Sequence, residues 1–204
     1  MFHEVDEALR KLVTTRALGG GDVRLVFDAP TRDWAAQRNT PTVNAYLYDI
    51  REDVARREHG PVRVREENGR VTRYRQPPRL YRLSYLITAW TKRPEDEHRL
   101  LSAVLGCLLR HDTLPADMVP PGGLLATAGM SIPIFAAVPP MDPRSISDLW
   151  SALGGELKPS LDLVVVAPFP ASPEIPAGPP VTELEVTVRD GVHEVSETQR
   201  KSLA

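Results

Sequence analysis

Covalent or metal chemistry in this chain would have to come from five histidines, one cysteine and a few acids, and their spacing does not organise them. His3, His59, His98, His111 and His193 lie far apart, and none has a His or Cys neighbour at ligand spacing. Glu97-His98 starts like a metal-binding helix but lacks a second His four residues on, so it reads as a solvated first turn. Cys107 shares a helical face with Leu100, Val104 and Leu108 and reads as a buried, inert thiol. Asp49, Asp53 and Glu58 could form a carboxylate set for acid–base work, yet the arginines beside them make ion pairing the simpler reading. Gly19-Gly20-Gly21 ends a helical stretch and no Gly-Lys-Ser/Thr follows it, so it is not a phosphate loop. There is no Gly-x-Ser-x-Gly elbow either. The sequence therefore predicts no catalytic residue, no metal, no cofactor and no enzyme.

Recognition is a different matter. Residues 51–82 hold ten arginines against five acids, a local excess of +5, so that with a formal charge of −2 for the chain the remainder carries −7. Arg51, Arg63, Arg65, Arg70, Arg73, Arg75 and Arg79 are interleaved with Tyr74 and Tyr81. Arginine and tyrosine in this mixture suit a protein interface, where the planar guanidinium donates several hydrogen bonds. The alternative is a nucleic-acid-binding accessory protein acting through the same arginines. The interleaved acids and the acidic remainder favour the protein partner.

These residues sit on elements that the pattern defines. Phe2, Val5, Leu9, Leu12 and Val13 make one stripe of a helix stopped by Gly19–Gly21. Val23–Phe27 reads as a short strand, and Thr31–Thr40 as a polar turn-rich stretch whose Trp34 packs. Residues 43–48 are apolar or aromatic on both alternations, the mark of a strand covered on two faces. Asn68-Gly69 predicts a two-residue hairpin turn with Val62, Val64 and Glu66 facing Val71, Arg73 and Arg75. That hairpin, 61–76, is too polar for a core and reads as a projecting arm that needs a partner to hold it. Tyr81, Leu83, Tyr85, Ile87 and Ala89 alternate as a strand. Pro94 and three acids then open a helix whose apolar residues recur from Leu100 to Leu109. Seven prolines make 115–144 irregular, with one short strand within 132–138. Ile146, Leu149, Trp150 and Leu153 give a further helix with Ser145 as cap and Gly154 as stop. Leu161–Ala167 is a buried strand, and six prolines make 168–180 a stiff linker. Thr182, Leu184, Val186 and Val188 alternate with polar residues as a half-exposed strand, followed by a polar end. Trp90 stands on the alternation opposite the buried face, so it is expected against a helix or at a subunit contact.

The predicted architecture is α/β (α+β): a mixed sheet flanked by two or three helices, with a projecting hairpin arm and an extended C-terminal strand. Residues 1–180, arm included, form the domain, and 181–204 the strand and tail. One cysteine excludes a disulfide framework. No leader pattern opens the chain and no apolar run approaches a membrane span, so the expectation is a cytoplasmic protein with no membrane partner.

The segments Asn44-Ala-Tyr-Leu-Tyr-Asp-Ile-Arg-Glu52, Pro77-Pro-Arg-Leu-Tyr-Arg-Leu-Ser-Tyr85-Leu-Ile-Thr-Ala-Trp90, Glu97-His-Arg-Leu-Leu101 and Leu108-Leu-Arg-His111 resemble a bacterial family. Leu149-Trp-Ser-Ala-Leu-Gly-Gly155 and Leu157-Lys-Pro-Ser-Leu161 continue the likeness, which runs over about residues 2–190. The family, formerly known only as a domain of unknown function, is associated with the cap, or tail terminator, of extracellular contractile injection systems, which are phage-tail-like particles. The resemblance implies a compact α/β domain with no catalytic residues. It also implies a homohexameric ring on the distal end of the inner tube and sheath, which ends polymerisation and couples sheath to tube. Its partners would be itself, the tube protein and the sheath protein. The residues expected at those contacts are Arg51, Arg63, Arg65, Arg70, Arg73, Tyr74, Arg75, Arg79 and Trp90, with Leu184, Val186 and Val188 in the tail.

Overall fold

The computed structural model describes residues 1–19, 21–138, 146–170, 173–179, 183–189 and 196–202. In chain order the elements are α1 (Phe2–Arg16), β1 (Arg24–Val26), α2 (Arg32–Ala36), β2 (Thr42–Glu52), β3 (Val62–Arg65), β4 (Val71–Arg75), β5 (Arg79–Trp90), α3 (Pro94–Leu108), α4 (Leu124–Ala128), β6 (Ile134–Ala136), α5 (Ile146–Ala152), β7 (Ser160–Phe169), β8 (Ile175–Pro176), β9 (Glu183–Arg189) and β10 (Ser196–Ser202). They group into two compact units. The first comprises residues 1–60 and 77–171, and the second residues 61–76 and 172–204.

The first unit is built on a five-stranded sheet in the order β1-β2-β5-β7-β6. β1 runs parallel to β2, and every other pairing is antiparallel, which makes the sheet mixed. β5 is central because its alternation serves two faces. Leu83, Tyr85, Ile87 and Ala89 enter the main core with Val43, Ala45, Leu163 and Val165 of the flanking strands. Val5, Leu9 and Leu12 of α1 and Leu101, Val104 and Leu108 of α3 cover that face. Each such side chain, once fully buried, contributes about 2 kcal/mol through removal of apolar surface from water. The opposite alternation is buried too: Leu86, Thr88, Asn44 and Val166 are inaccessible, as is Trp150 of α5.

The helix ends follow the sequence signals. The Ala17 amide closes α1 on the Val13 carbonyl, and Gly19 takes a φ of +61°. Pro94 opens α3, ahead of Glu95, Asp96 and Glu97. Cys107 is buried and unpaired, as expected. The turn-rich reading of residues 31–40 needs correction. Thr31 Oγ1 accepts from the Trp34 amide at 3.2 Å and caps the short helix α2, which is too brief to show apolar periodicity. α4 was likewise hidden in the proline-rich stretch. β6 and α5 fall where expected, while the proposed cap Ser145 lies outside the described residues.

In the second unit β3 and β4 pair as expected at Val62↔Arg75 and Val64↔Arg73, but the turn differs. Glu66 and Arg70 close a three-residue loop, the Gly69 amide donates to the Glu66 carbonyl at 2.8 Å, and only Gly69 has positive φ, +82°. This is a bulged turn, so Arg65 rather than Glu66 stands opposite Val71. Asn68 contributes differently from expectation, accepting from the Arg70 amide at 2.8 Å through Oδ1. The support that such a hairpin requires comes from the chain itself. β8, within the proline-rich linker, adds to β4 with Arg73↔Pro176 and Tyr74↔Ile175, and the Ala177 amide donates to the Thr72 carbonyl at 2.8 Å. β9 and β10 form a separate antiparallel pair, so part of the expected polar end is a strand.

Candidate functional site

The arginine cluster divides into paired and unpaired groups. Glu52, at the end of β2, collects a bidentate contact from Arg57 at 2.8 and 2.6 Å and a longer one from Arg79 at 3.5 Å. Hydrogen bonding from Arg57 is the main reason that the Glu52 carboxyl is held below its ordinary pKa. Arg51 pairs with Asp49 at 3.1 Å and Arg56 with Asp53 at 3.7 Å, so two of the three candidate carboxylates serve ion pairs. Register places Arg51 opposite Arg82 and Glu52 opposite Tyr81.

In the hairpin, Arg73 reaches Glu174 at 2.9 Å and Arg65 Nη1 donates to the Gly69 carbonyl at 2.7 Å, clamping the turn. Arg63 stands opposite half-buried Tyr74, and Arg75 opposite Val62. Arg63, Arg70 and Arg75 are exposed. Leu184, Val186 and Val188 alternate along β9, opposite Lys201, Gln199 and Glu197 of β10.

A second constellation lies in the first unit, where Trp90 was the one residue expected at a subunit contact. That side chain packs against two helices. Its ring meets Trp34 of α2 edge-on at 5.3 Å and Trp150 of α5 at 6.3 Å, tilted. Lys158 Nζ stands 4.4 Å over the Trp90 ring and donates to Glu97 Oε1 at 2.7 Å. Glu97 is therefore buried, correcting the solvated first turn: its Oε1 also accepts from the Thr91 amide at 3.1 Å. His98 is exposed, as a residue of a solvated turn should be. The Arg38 guanidinium covers the Trp34 ring at 4.6 Å.

Beside this cluster a cleft of about 650 Å³ opens between α2, the end of β5 and the first turn of α3. Arg38, Lys92, Arg93 and Arg99 line it with a single acid, Asp96, and Val23, Ala35 and Leu100 supply apolar wall. Sequence reading missed these cations. Glu95, Asp96 and Glu97 cancel Lys92 and Arg93 in any local charge count, and Arg38 is isolated along the chain.

Among the described residues no group of His, Cys, Asp or Glu could hold a metal ion, and no helix is long and apolar enough to cross a membrane. What the geometry defines is an α+β fold with exposed arginines on the hairpin and a cleft lined by four cations in the first unit.

Residues 4–183 match the model of the Pvc16 N-terminal domain, and the chain belongs to that family. This agrees with the resemblance drawn from the sequence segments. Two solved structures share the fold. One is the sheath/tube terminator of an extracellular contractile injection system, PVC, in its extended state, with a TM-score of 0.69 and 22% identity over 93% of this chain and 64% of that one. The other is the tube-terminating cap of the anti-feeding prophage, with a TM-score of 0.65 and 24% identity over 91% of this chain and 60% of that one. The chain thus spans less than two thirds of either protein's length. No curated protein matches it.

Proposed function

We propose that this protein is a tail terminator, a non-enzymatic cap on the distal end of a contractile injection particle. The observation that carries the reading is the fold match over 93% of the chain to a sheath/tube terminator, within the family to which the chain belongs. In this reading six copies form a ring on the end of the inner tube, stop its growth and join the last sheath layer to it. Head-to-tail contacts that close on themselves make such a ring and leave no free end. The exposed arginines Arg63, Arg70 and Arg75 of the hairpin, with Tyr74, meet the tube or the next subunit. Leu184, Val186 and Val188 of β9 meet sheath or a neighbour. Arg51, Arg65, Arg73, Arg79 and Trp90 act at those contacts largely through the partners that hold them in place. Assembly takes place in the cytoplasm. The ion-paired arginines at 51, 56, 57, 73 and 79 leave less free positive charge than nucleic-acid binding through residues 51–82 requires.

The test is electron microscopy of particles purified with and without this protein. The expected result is sixfold density for it at one end, and uncontrolled or missing particles in its absence. Particles of normal length with intact ends in the deletion strain would overturn the proposal.

A further inference from the structure

The cleft beside the tryptophan cluster has a pronounced charge imbalance. Four cations line it against one carboxylate, and that carboxylate, Asp96, is taken by Arg99 at 3.1 Å. Arg38, Lys92 and Arg93 have no acidic partner among the described residues. Arg38 Nε is buried and makes no hydrogen bond. Around these cations Val23, Ala35, Pro41 and Leu100 form apolar wall, and about 650 Å³ is room for several side chains.

We infer that this cleft docks an extended acidic segment of a partner polypeptide. Carboxylates of the segment lie on Arg38, Lys92 and Arg93, and an apolar side chain between them lies against Val23, Ala35 and Leu100. A segment with both acidic and apolar side chains answers both the cations and the wall. Nucleic acid fits less well, because base binding needs a free aromatic face. Here Lys158 stands over the Trp90 ring at 4.4 Å and Arg38 over the Trp34 ring at 4.6 Å. A small inorganic anion would satisfy the charge but leave the apolar wall wet. The inference is independent of the terminator reading, since the cleft lies wholly within the first unit and its binding is measurable on the protein alone.

The molecule carries its own reporter. Its three tryptophans, Trp34, Trp90 and Trp150, all sit in the cluster beside the cleft, so intrinsic fluorescence reads this site. The probes are an acetylated peptide of alternating Glu and Leu, the same peptide with Lys for Glu, and oligo(dT). The Glu–Leu peptide should give a saturable change in emission that weakens with salt. The double variant Lys92→Glu/Arg93→Glu, at two exposed positions, should weaken it about tenfold or more, equivalent to about 1.4 kcal/mol. Equal binding of the Lys–Leu peptide, a response to oligo(dT) in place of the acidic peptide, or no saturable response to any probe would each overturn the inference. Binding that survives alongside normal particles in the deletion strain would retain this inference while removing the terminator reading.

Discussion

Glu4 is a buried carboxylate in the first turn of α1 that works at the start of a different helix. Its Oε2 accepts from the Leu125 amide at 3.0 Å, and its Oε1 lies 3.2 Å from the N-terminal ammonium. Burial alone would raise its pKa, but the Leu125 amide and the ammonium outweigh burial and hold it below the ordinary value. Because the folded pKa is depressed, this stabilisation is complete above the ordinary carboxylate pKa and is lost as pH falls through the folded value. Glu4→Gln should therefore cost about 2 kcal/mol at neutral pH. In urea titrations the loss should shrink toward zero as both proteins are taken to acid. Asp6 has the opposite sign. Burial raises its pKa against the hydrogen bond that Tyr85 Oη donates to Oδ1 at 2.8 Å. Burial also raises the Tyr85 phenol, so it remains a donor across the working range. Between the ordinary and raised values of Asp6 the native state holds a proton that the unfolded chain has released, and stability falls as pH rises through that window. Asp6→Asn keeps an acceptor for Tyr85 and removes the titration. Its thermal midpoint should gain on the parent as pH rises from acid to neutral, and a constant difference would refute the assignment. Neither network was visible in the sequence: Glu4 meets residue 125 and Asp6 meets residue 85, pairings that only the packed sheet creates.

At the level of elements, the clearest readings were those whose periodicity is long. β5 and α3 span enough residues for alternation and helical spacing to stand out, and both fall where their patterns place them. The short helices α2 and α4 and the two-residue β8 escaped because they complete less than two turns or two alternations, whereas β1 and β6 were marked by short apolar runs and β3 and β4 by the Asn68-Gly69 turn between them. α2 rests on the Thr31 cap, and β8 rests on partnership with β4. The hairpin was half legible. Asn68-Gly69 marked the turn, but the bulge that moves Arg65 opposite Val71 follows from Asn68 keeping negative φ. Gly69→Ala tests that geometry. An alanine forced to a φ of +82° costs about 1 kcal/mol, with open space around the new methyl. Amide exchange should accelerate in residues 62–75 and stay unchanged in β5, because the strain is confined to the turn. Equal acceleration in β5 would mean that the hairpin and the central sheet open together.

For the whole molecule, the two units make separable contributions, and replacing the hairpin tests this. The core of the first unit is assembled from α1, α3 and the five-stranded sheet, none of which borrows a residue from 61–76. Exchanging residues 62–75 for a short Gly-Ser loop removes β3 and β4 and leaves β8 without its pairing strand. It removes none of the buried side chains that contribute about 2 kcal/mol each. The thermal midpoint of the first unit, followed by near-ultraviolet dichroism of the tryptophan cluster, should move by no more than about 3 °C, roughly what a 1 kcal/mol change produces in a domain of about 150 residues or more. The exposed guanidiniums of Arg63, Arg70 and Arg75 go with the hairpin, and with them, on the terminator reading, the grip on the tube end. The variant should therefore fold, keep the cationic cleft intact and fail to co-sediment with particles. A variant that folds and still co-sediments would move the contact from the hairpin to β9. One that loses the tryptophan signal would show that the first unit depends on the hairpin after all.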